Sequence, residues 1–213
     1  MKIRLYHSII LYFIVSYLNS FVAYNLTLSK GIRPKLFDFG HFILPEISTY
    51  LPDIFFFSIL FFFVIRWSKE KDLLKMFFLI CSLLFFFRLL TFPLTHLPPA
   101  YSLDSNCIQP NENGPWIFFT WYSQSTCIDY LFSAHTFHLT IISLITIYYS
   151  KNYIEKLLIP LVCVINVILI IAARMHYTSD IIIALILSII LYSSFELYKR
   201  NINLEKMLKS KEK

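Results

Sequence analysis

Glycine and charge are both scarce here: 3 of the 213 residues are Gly and 15% are Asp, Glu, Lys or Arg. With so few glycines, and with no low-complexity tract, long polar linker or internal repeat, the chain reads as one domain, 1–213. H-E-x-x-H is absent and so is any Cys-rich ligand spacing, which argues against a metal centre on His135, His138 and Asp129; no metal and no cofactor are expected. G-x-S-x-G is absent too, which weighs against a serine hydrolase built on Ser133. What the chain has in excess is apolar surface: 57% hydrophobic residues, 22 Phe, 14 Tyr and a mean hydropathy of +0.64. A soluble core of this length could not hide that surface from water. The chain is an integral membrane protein.

About 20 apolar residues are needed to cross roughly 30 Å of hydrocarbon. Runs near that length fall at Ser8–Leu26, Tyr50–Trp67, Met76–Phe92, Leu131–Tyr149, Leu157–Ala173 and Thr178–Leu197, the second and third being short. The expected fold is therefore all-α and polytopic, with six transmembrane helices. The first run follows M-K-I-R, as a secretory signal would, but it is a full span long and no small-x-small cleavage pattern follows. A retained first helix is expected.

Lys and Arg placement orients the chain. With the N-terminus cytosolic, the inner segments hold fourteen of the 19 basic residues, among them Arg66, Lys69, Lys71, Lys75, Lys151, Lys156 and the tail 198–213. Both termini are expected in the cytosol. The net charge of +6 is then explained by inner loops facing anionic lipid, and no nucleic-acid partner is needed.

Three polar clusters then share the outer face: Arg88–His96, Cys127–His138 and Arg174–Asp180. If the last helix starts near His176, then His176 and Asp180 stand at i and i+4 on one face. A carboxylate against one imidazole nitrogen fixes the tautomer and makes the other a better nucleophile or base. A capping histidine beside an interfacial aspartate is the bland alternative, but ionisable groups at such depth are costly and usually functional. His135, flanked by Ser133 and Thr136 with Asp129 upstream, could protonate a leaving group while His176 attacks. His138 fits a buried hydrogen-bonding role as well as a substrate contact. Arg88 fits a phosphate contact as well as a structural pairing with Asp53.

These residues carry a resemblance. S-A-H-T, 133–136, resembles the S-G-H-T element and H-Y-T-S-D, 176–180, the H-x3-D element of the type 2 lipid phosphate phosphatase superfamily. Within it, C-I-D-Y-L-F-S-A-H-T is similar to the C-G-D-x3-S-G-H-T motif, and R-M-H-Y-T-S-D to the H-Y-T-x-D motif, of the sphingomyelin synthase family. Y-L-P-D-I-F resembles that family's P-L-P-D element, and R-L-L-T-F-P-L-T-H-L-P-P its R-x3-(Y/F)-x2-T-x-L-P element. The four stand in family order between Leu51 and Ala184. Ile128 and Ala134 replace two motif glycines, and neither change removes a reacting group.

The resemblance implies a core of about 51–197 with His135, His176 and Asp180 as catalytic triad. It implies transfer of phosphocholine or phosphoethanolamine from phosphatidylcholine or phosphatidylethanolamine to ceramide, with release of diacylglycerol through a phosphohistidine. It further implies a Golgi, endoplasmic reticulum or plasma-membrane location and an active site on the lumenal or exoplasmic face; from the short chain, the N-terminal sterile-alpha-motif domain found in some relatives is not expected. Arg174, Arg88, Asp129, Ser133, Thr136 and Tyr177 are the expected substrate-binding residues. The headgroup, inositol included, and a homo-oligomer are left open. The rival readings are a lipid phosphate phosphatase or phospholipase C-like hydrolase with the same triad, and a noncatalytic channel or lipid-binding protein. The phosphatases' lysine-arginine phosphate motif is not found before Ser133.

The turn-rich segment 94–130 holds Trp116 and Trp121 for an interfacial belt. It also holds Asp104 and Glu112, which could meet a cationic headgroup. Cys107 and Cys127 lie in it, and a disulfide closing this ~20-residue loop would contribute about 3 kcal/mol. The sequon Asn25-Leu-Thr27 lies too close to the end of the first run to be a favoured acceptor.

Overall fold

A computed structural model describes residues 4–29, 36–91, 94–95, 97–98, 100 and 131–211. Cys107, Cys127, Asp129, Trp116 and Trp121 lie outside the described residues, as do Asp104 and Glu112. All regular structure among the described residues is helical: α1 Leu5–Ser29, α2 Phe39–Ile43, α3 Tyr50–Arg66, α4 Lys71–Thr91, α5 Ala134–Tyr149, α6 Tyr153–Ala172 and α7 Thr178–Lys211.

Six of these seven helices coincide with the six apolar runs. Helices α1, α4, α6 and α7 are long and apolar enough to cross a membrane. Helices α3 and α5, with 17 and 16 residues, fall short of the ~20 that span the hydrocarbon unaided. The expectation of six spans is thus met at full length by four, with two shorter apolar helices packed among them. The protein is multi-pass.

Helices α5, α6 and α7 start where a side chain supplies an acceptor for an orphan N–H group. The Ser133 side chain accepts from Thr136 N at 3.3 Å to begin α5, and Asn152 Oδ1 accepts from Ile154 N at 2.9 Å to begin α6. Helix α7 takes its cap from far away in the chain: Thr178 N donates to Asp38 Oδ2 at 2.8 Å. The α6 C-terminus closes through Ala173 N to Leu169 O, 2.8 Å, and Met175 N to Ile170 O, 3.2 Å.

Helices α4 and α5 form the centre. Phe77, Ile80, Cys81 and Leu84 of α4 are fully buried, as are Phe137, Leu139, Ile141 and Ile145 of α5. Helix α1 lies along α4, while α6 and α7 flank α5. The outward faces of α6 and α7 stay apolar: Leu157, Leu161, Val164 and Ile168 on one and Ile182, Ile186, Ile189 and Ile190 on the other are exposed. Apolar rows at helical spacing facing outward suit lipid and not water.

At one end of the bundle meet the start of α3, the end of α4, the start of α5, the end of α6 and the start of α7. The opposite end is tied by Arg66 Nε to Glu155 Oε1, 2.9 Å, and Ser150 Oγ to Glu155 Oε2, 2.6 Å.

Candidate active site

The first of these ends holds the chemistry. The segment 173–178 leaves α6 and enters α7, carrying His176. Its Nδ1 stands 3.7 Å from Asp180 Oδ2, and both side chains are buried, at 7% and 0% exposure. The i, i+4 spacing therefore delivers the expected pairing, at an ion-pair distance longer than a good hydrogen bond. The same Oδ2 accepts from Tyr177 N at 3.1 Å, and Asp180 Oδ1 is buried with no hydrogen-bond partner.

Helix α5 brings His135 to the same end. Ser133 N donates to Asp180 O at 3.4 Å, stitching the start of α5 to the start of α7. Thr136 Oγ1 donates to Ser133 Oγ at 2.9 Å, and both residues are fully buried, so their hydroxyls hold the α5 cap. His135 Nε2 stands 3.1 Å from Asp53 Oδ1, a carboxylate in the first turn of α3. Arg88, near the end of α4, donates from Nε to Phe132 O at 2.7 Å, in the residues just before His135.

Arg174 occupies a position that physical chemistry gives to glycine. It follows the last turn of α6 with φ 58°, the left-handed conformation in which a Cβ is strained and Gly is preferred. Retaining arginine there costs of order 1 kcal/mol or more, which points to a use for the side chain. Its Nη2 donates to Leu44 O at 2.8 Å, while Nη1 is buried with no hydrogen-bond partner. A buried guanidinium donor left over beside His176 suits an oxyanion.

His138 resolves to one of its two readings. It is 2% exposed and ringed by Phe56, Phe77, Phe85 and Phe137. Its Nδ1 lies 2.7 Å from Ala134 O, so this nitrogen carries the proton, and Nε2 accepts from Tyr12 OH at 2.8 Å. Both nitrogens are used inside the bundle, one turn below the site.

The segment 36–48 was silent in the sequence and is a strap across this end. Asp38 accepts from Thr178 N, from Thr178 Oγ1 at 2.7 Å and from His41 N at 3.0 Å. Burial pushes the Asp38 carboxyl up, but the hydrogen bonds from Thr178 and His41, with His41 beside it, outweigh burial and hold it below the usual value. His41 Nε2 meets the carbonyl oxygen of His176 at 3.0 Å. Gly40 lets α2 lie this close, since a Cβ there would run into Thr178 Oγ1 and Ile171 Cγ2. Tyr177, 3% exposed, donates from its hydroxyl to Pro98 O at 3.1 Å and accepts from Leu36 N at 3.4 Å. No sequence motif marks Asp38 or His41; their partners lie 140 and 135 residues away.

Of the expected site residues, His135, His176, Asp180, Arg174, Arg88, Ser133, Thr136 and Tyr177 all stand at this end, and Asp129 lies outside the described residues. The imidazoles of His135 and His176, the buried carboxylates of Asp53 and Asp180 and the guanidinium groups of Arg88 and Arg174 thus share one end of the bundle, a set of groups that can carry out acid–base and nucleophilic chemistry on an anionic substrate. Residues 126–198, about a third of the chain, match the family model described as PAP2 superfamily C-terminal. No curated protein matches the chain. The match supports the type 2 lipid phosphate phosphatase superfamily and, with it, a membrane enzyme of the phosphatase or phosphotransferase type that acts on lipids.

Proposed function

We propose that the protein transfers the phospho-headgroup of a glycerophospholipid to the primary hydroxyl of ceramide, releasing diacylglycerol. The observation that carries this reading is the placement of the two upstream elements. Asp53 of Y-L-P-D-I-F stands against His135, and Arg88 of R-L-L-T-F-P holds the carbonyl just before it. These are the elements by which the chain resembles the transferases, and both stand beside His135.

The residues suit a two-step displacement. His176, oriented by Asp180, attacks phosphorus, and the bond from phosphorus to the diacylglycerol oxygen breaks. That oxygen takes a proton from His135, so diacylglycerol leaves neutral and the headgroup phosphate stays on His176. The ceramide hydroxyl then gives its proton to His135 while its oxygen attacks phosphorus, and the P–N bond breaks to return His176. Arg174 and Arg88 balance the charge that gathers on the phosphoryl oxygens. Ser133 and Thr136 hold the start of α5, and Tyr177 fixes the backbone beside His176. Asp129, with a cationic choline or ethanolamine as its natural counterpart, is assigned to the headgroup.

A second reading follows from the family match, which stops at the superfamily: water in place of ceramide would make the same site a lipid phosphate phosphatase or a phospholipase C-like enzyme. One experiment separates them. Purified protein is given fluorescent ceramide with phosphatidylcholine, phosphatidylethanolamine and phosphatidylinositol in turn, and separately phosphatidate. A fluorescent sphingophospholipid is the expected product, and the donor that yields it names the headgroup. Release of free phosphate from phosphatidate with no sphingophospholipid would move the assignment to the phosphatase.

A further inference from the structure

The attack by His176 has its carboxylate in the same short segment. His135, which must carry a proton in one half of the cycle and lose it in the other, has none in its own helix: no acidic residue occupies the first turn of α5. It is the second residue of that helix, where the positive end of the dipole disfavours an imidazolium. A proton donor placed there needs a compensating charge.

Helix α3 supplies one. Asp53 Oδ1 lies 3.1 Å from His135 Nε2, with the two side chains 9% and 21% exposed. Phe56, one turn along on the same face of α3, sets its ring 4.4 Å from the imidazole at 69°, edge to face. One helix face thus fixes the ring by charge and by packing together. A carboxylate buried within a helix bundle is expensive unless something answers its charge, and among the described residues the ion-pair partner of Asp53 is His135.

Resting on the phosphoryl-transfer reading above, we propose that Asp53 is the positioning carboxylate of His135. The two histidines then form two separate dyads of opposite polarity. Asp180 faces Nδ1 of His176, and Asp53 faces Nε2 of His135. In His135 it is therefore Nδ1 that exchanges a proton with the lipid oxygens, while Asp53 holds the tautomer and balances the imidazolium. The P-L-P-D-like element thereby acquires a chemical role, since its aspartate serves the acid and base of the reaction from a distant part of the chain.

The test uses the full chain in lipid nanodiscs, with wild type, Asp53→Asn, Asp53→Glu, His135→Ala and the double variant Asp53→Asn/His135→Ala. Sphingophospholipid, diacylglycerol and free phosphate are all measured. Asp53→Asn should lower kcat on the order of 10²- to 10⁴-fold with little change in KM, as amidation of a triad aspartate does, and Asp53→Glu should recover part of it. In the His135→Ala background the same Asp53→Asn change should cost nothing more, because the group it serves is gone. An equal loss in both backgrounds, or full activity of folded Asp53→Asn, would overturn the proposal. Histidine-selective ¹⁵N spectra give a readout free of turnover. The signal lost in His135→Ala should shift in Asp53→Asn while that of His176 stays in place, and an unmoved signal would also overturn the pairing. Wild type that forms neither transfer nor hydrolysis products would instead remove the phosphoryl-transfer reading, and the positioning role with it.

Discussion

His176, Asp180 and His135 make separable demands on the chemistry. His176→Ala should abolish headgroup transfer and phospholipid hydrolysis together, because both pass through one phosphoenzyme; sphingophospholipid formed by folded His176→Ala protein would sink that mechanism. Asp180→Asn should keep the fold and cost several powers of ten in kcat, since the imidazole loses its orienting charge. Arg174 separates stability from activity in another way. Glycine at this left-handed position relieves the Cβ strain and gives up the bond to Leu44 O, so thermal stability of Arg174→Gly should stay within about 1 kcal/mol of wild type. Transfer should fall on the order of 10²- to 10³-fold, as when a single charge-stabilising donor is removed. Unchanged kcat/KM in this variant would relieve Arg174 of any part in phosphate binding. At this scale the sequence was readable wherever the reacting residues are close together: His176 and Asp180 are four apart, and the helix period alone pairs them. Where partners are distant it was mute. His138 kept two readings until Tyr12, 126 residues upstream, proved to hold its second nitrogen. For Asp53 the sequence offered a pairing with Arg88 as one of two readings of that arginine, and gave no sign that His135, 82 residues downstream, stands against the carboxylate.

The elements divide the same way. The six long helices announce themselves as apolar runs, and α3, α4 and α5 keep their expected C-terminal ends to within one residue. The starts are less faithful, because polar caps set them and not hydropathy: α4 and α6 begin at Lys71 and Tyr153, several residues before the apolar runs, where Glu70 O and Asn152 Oδ1 await the first N–H groups. Helix α2, only five residues, carries no periodic signal at all, and a helix this short is not stable by itself. It exists because Asp38 caps it and α7 at once. Losing that shared cap in Asp38→Ala should cost about 1 kcal/mol or more and, through the His41 contact to the His176 carbonyl, lower kcat as well. The pH dependence has a definite sign. The Asp38 carboxyl titrates lower in the folded protein than in the unfolded chain. Its contribution is therefore complete above the ordinary carboxylate range near pH 4 and is lost as pH falls through the lower folded value. Thermal unfolding of wild type and Asp38→Ala should accordingly differ at neutral pH and converge as the solution is acidified below that range; a gap that widens on acidification would contradict this. Gly40→Ala should destabilise by about 1 to 3 kcal/mol through overpacking against Thr178 and Ile171.

The whole molecule is polarised from end to end. Asp53, Arg88, His135, Arg174 and Asp180 gather where α3 and α5 begin and α4 and α6 finish, while Arg66, Lys69, Lys71, Lys75, Lys151 and Lys156 lie where α3 and α5 finish and α4 and α6 begin. Basic loops remain on the cytosolic side during insertion, so the basic end is expected inside and the site end outside, with both termini cytosolic. That arrangement also presents the site to the leaflet from which a lumenal or exoplasmic enzyme would draw its lipids. Single-cysteine labelling tests it directly. In a background with Cys107 and Cys127 changed to Ser, Thr95→Cys, exposed just past α4 at the site end, should react with membrane-impermeant maleimide in intact cells. Lys69→Cys, exposed in the turn between α3 and α4, should react only after permeabilisation, and a tag following Lys213 should resist external protease. The native Cys81 and Cys163 are buried within helices and should give no background in either case. Labelling of Lys69→Cys from outside together with protection of Thr95→Cys would invert the molecule and move the phosphoryl site to the cytosolic leaflet. The residues would keep their chemistry, but the lipids within their reach would be those of the other face.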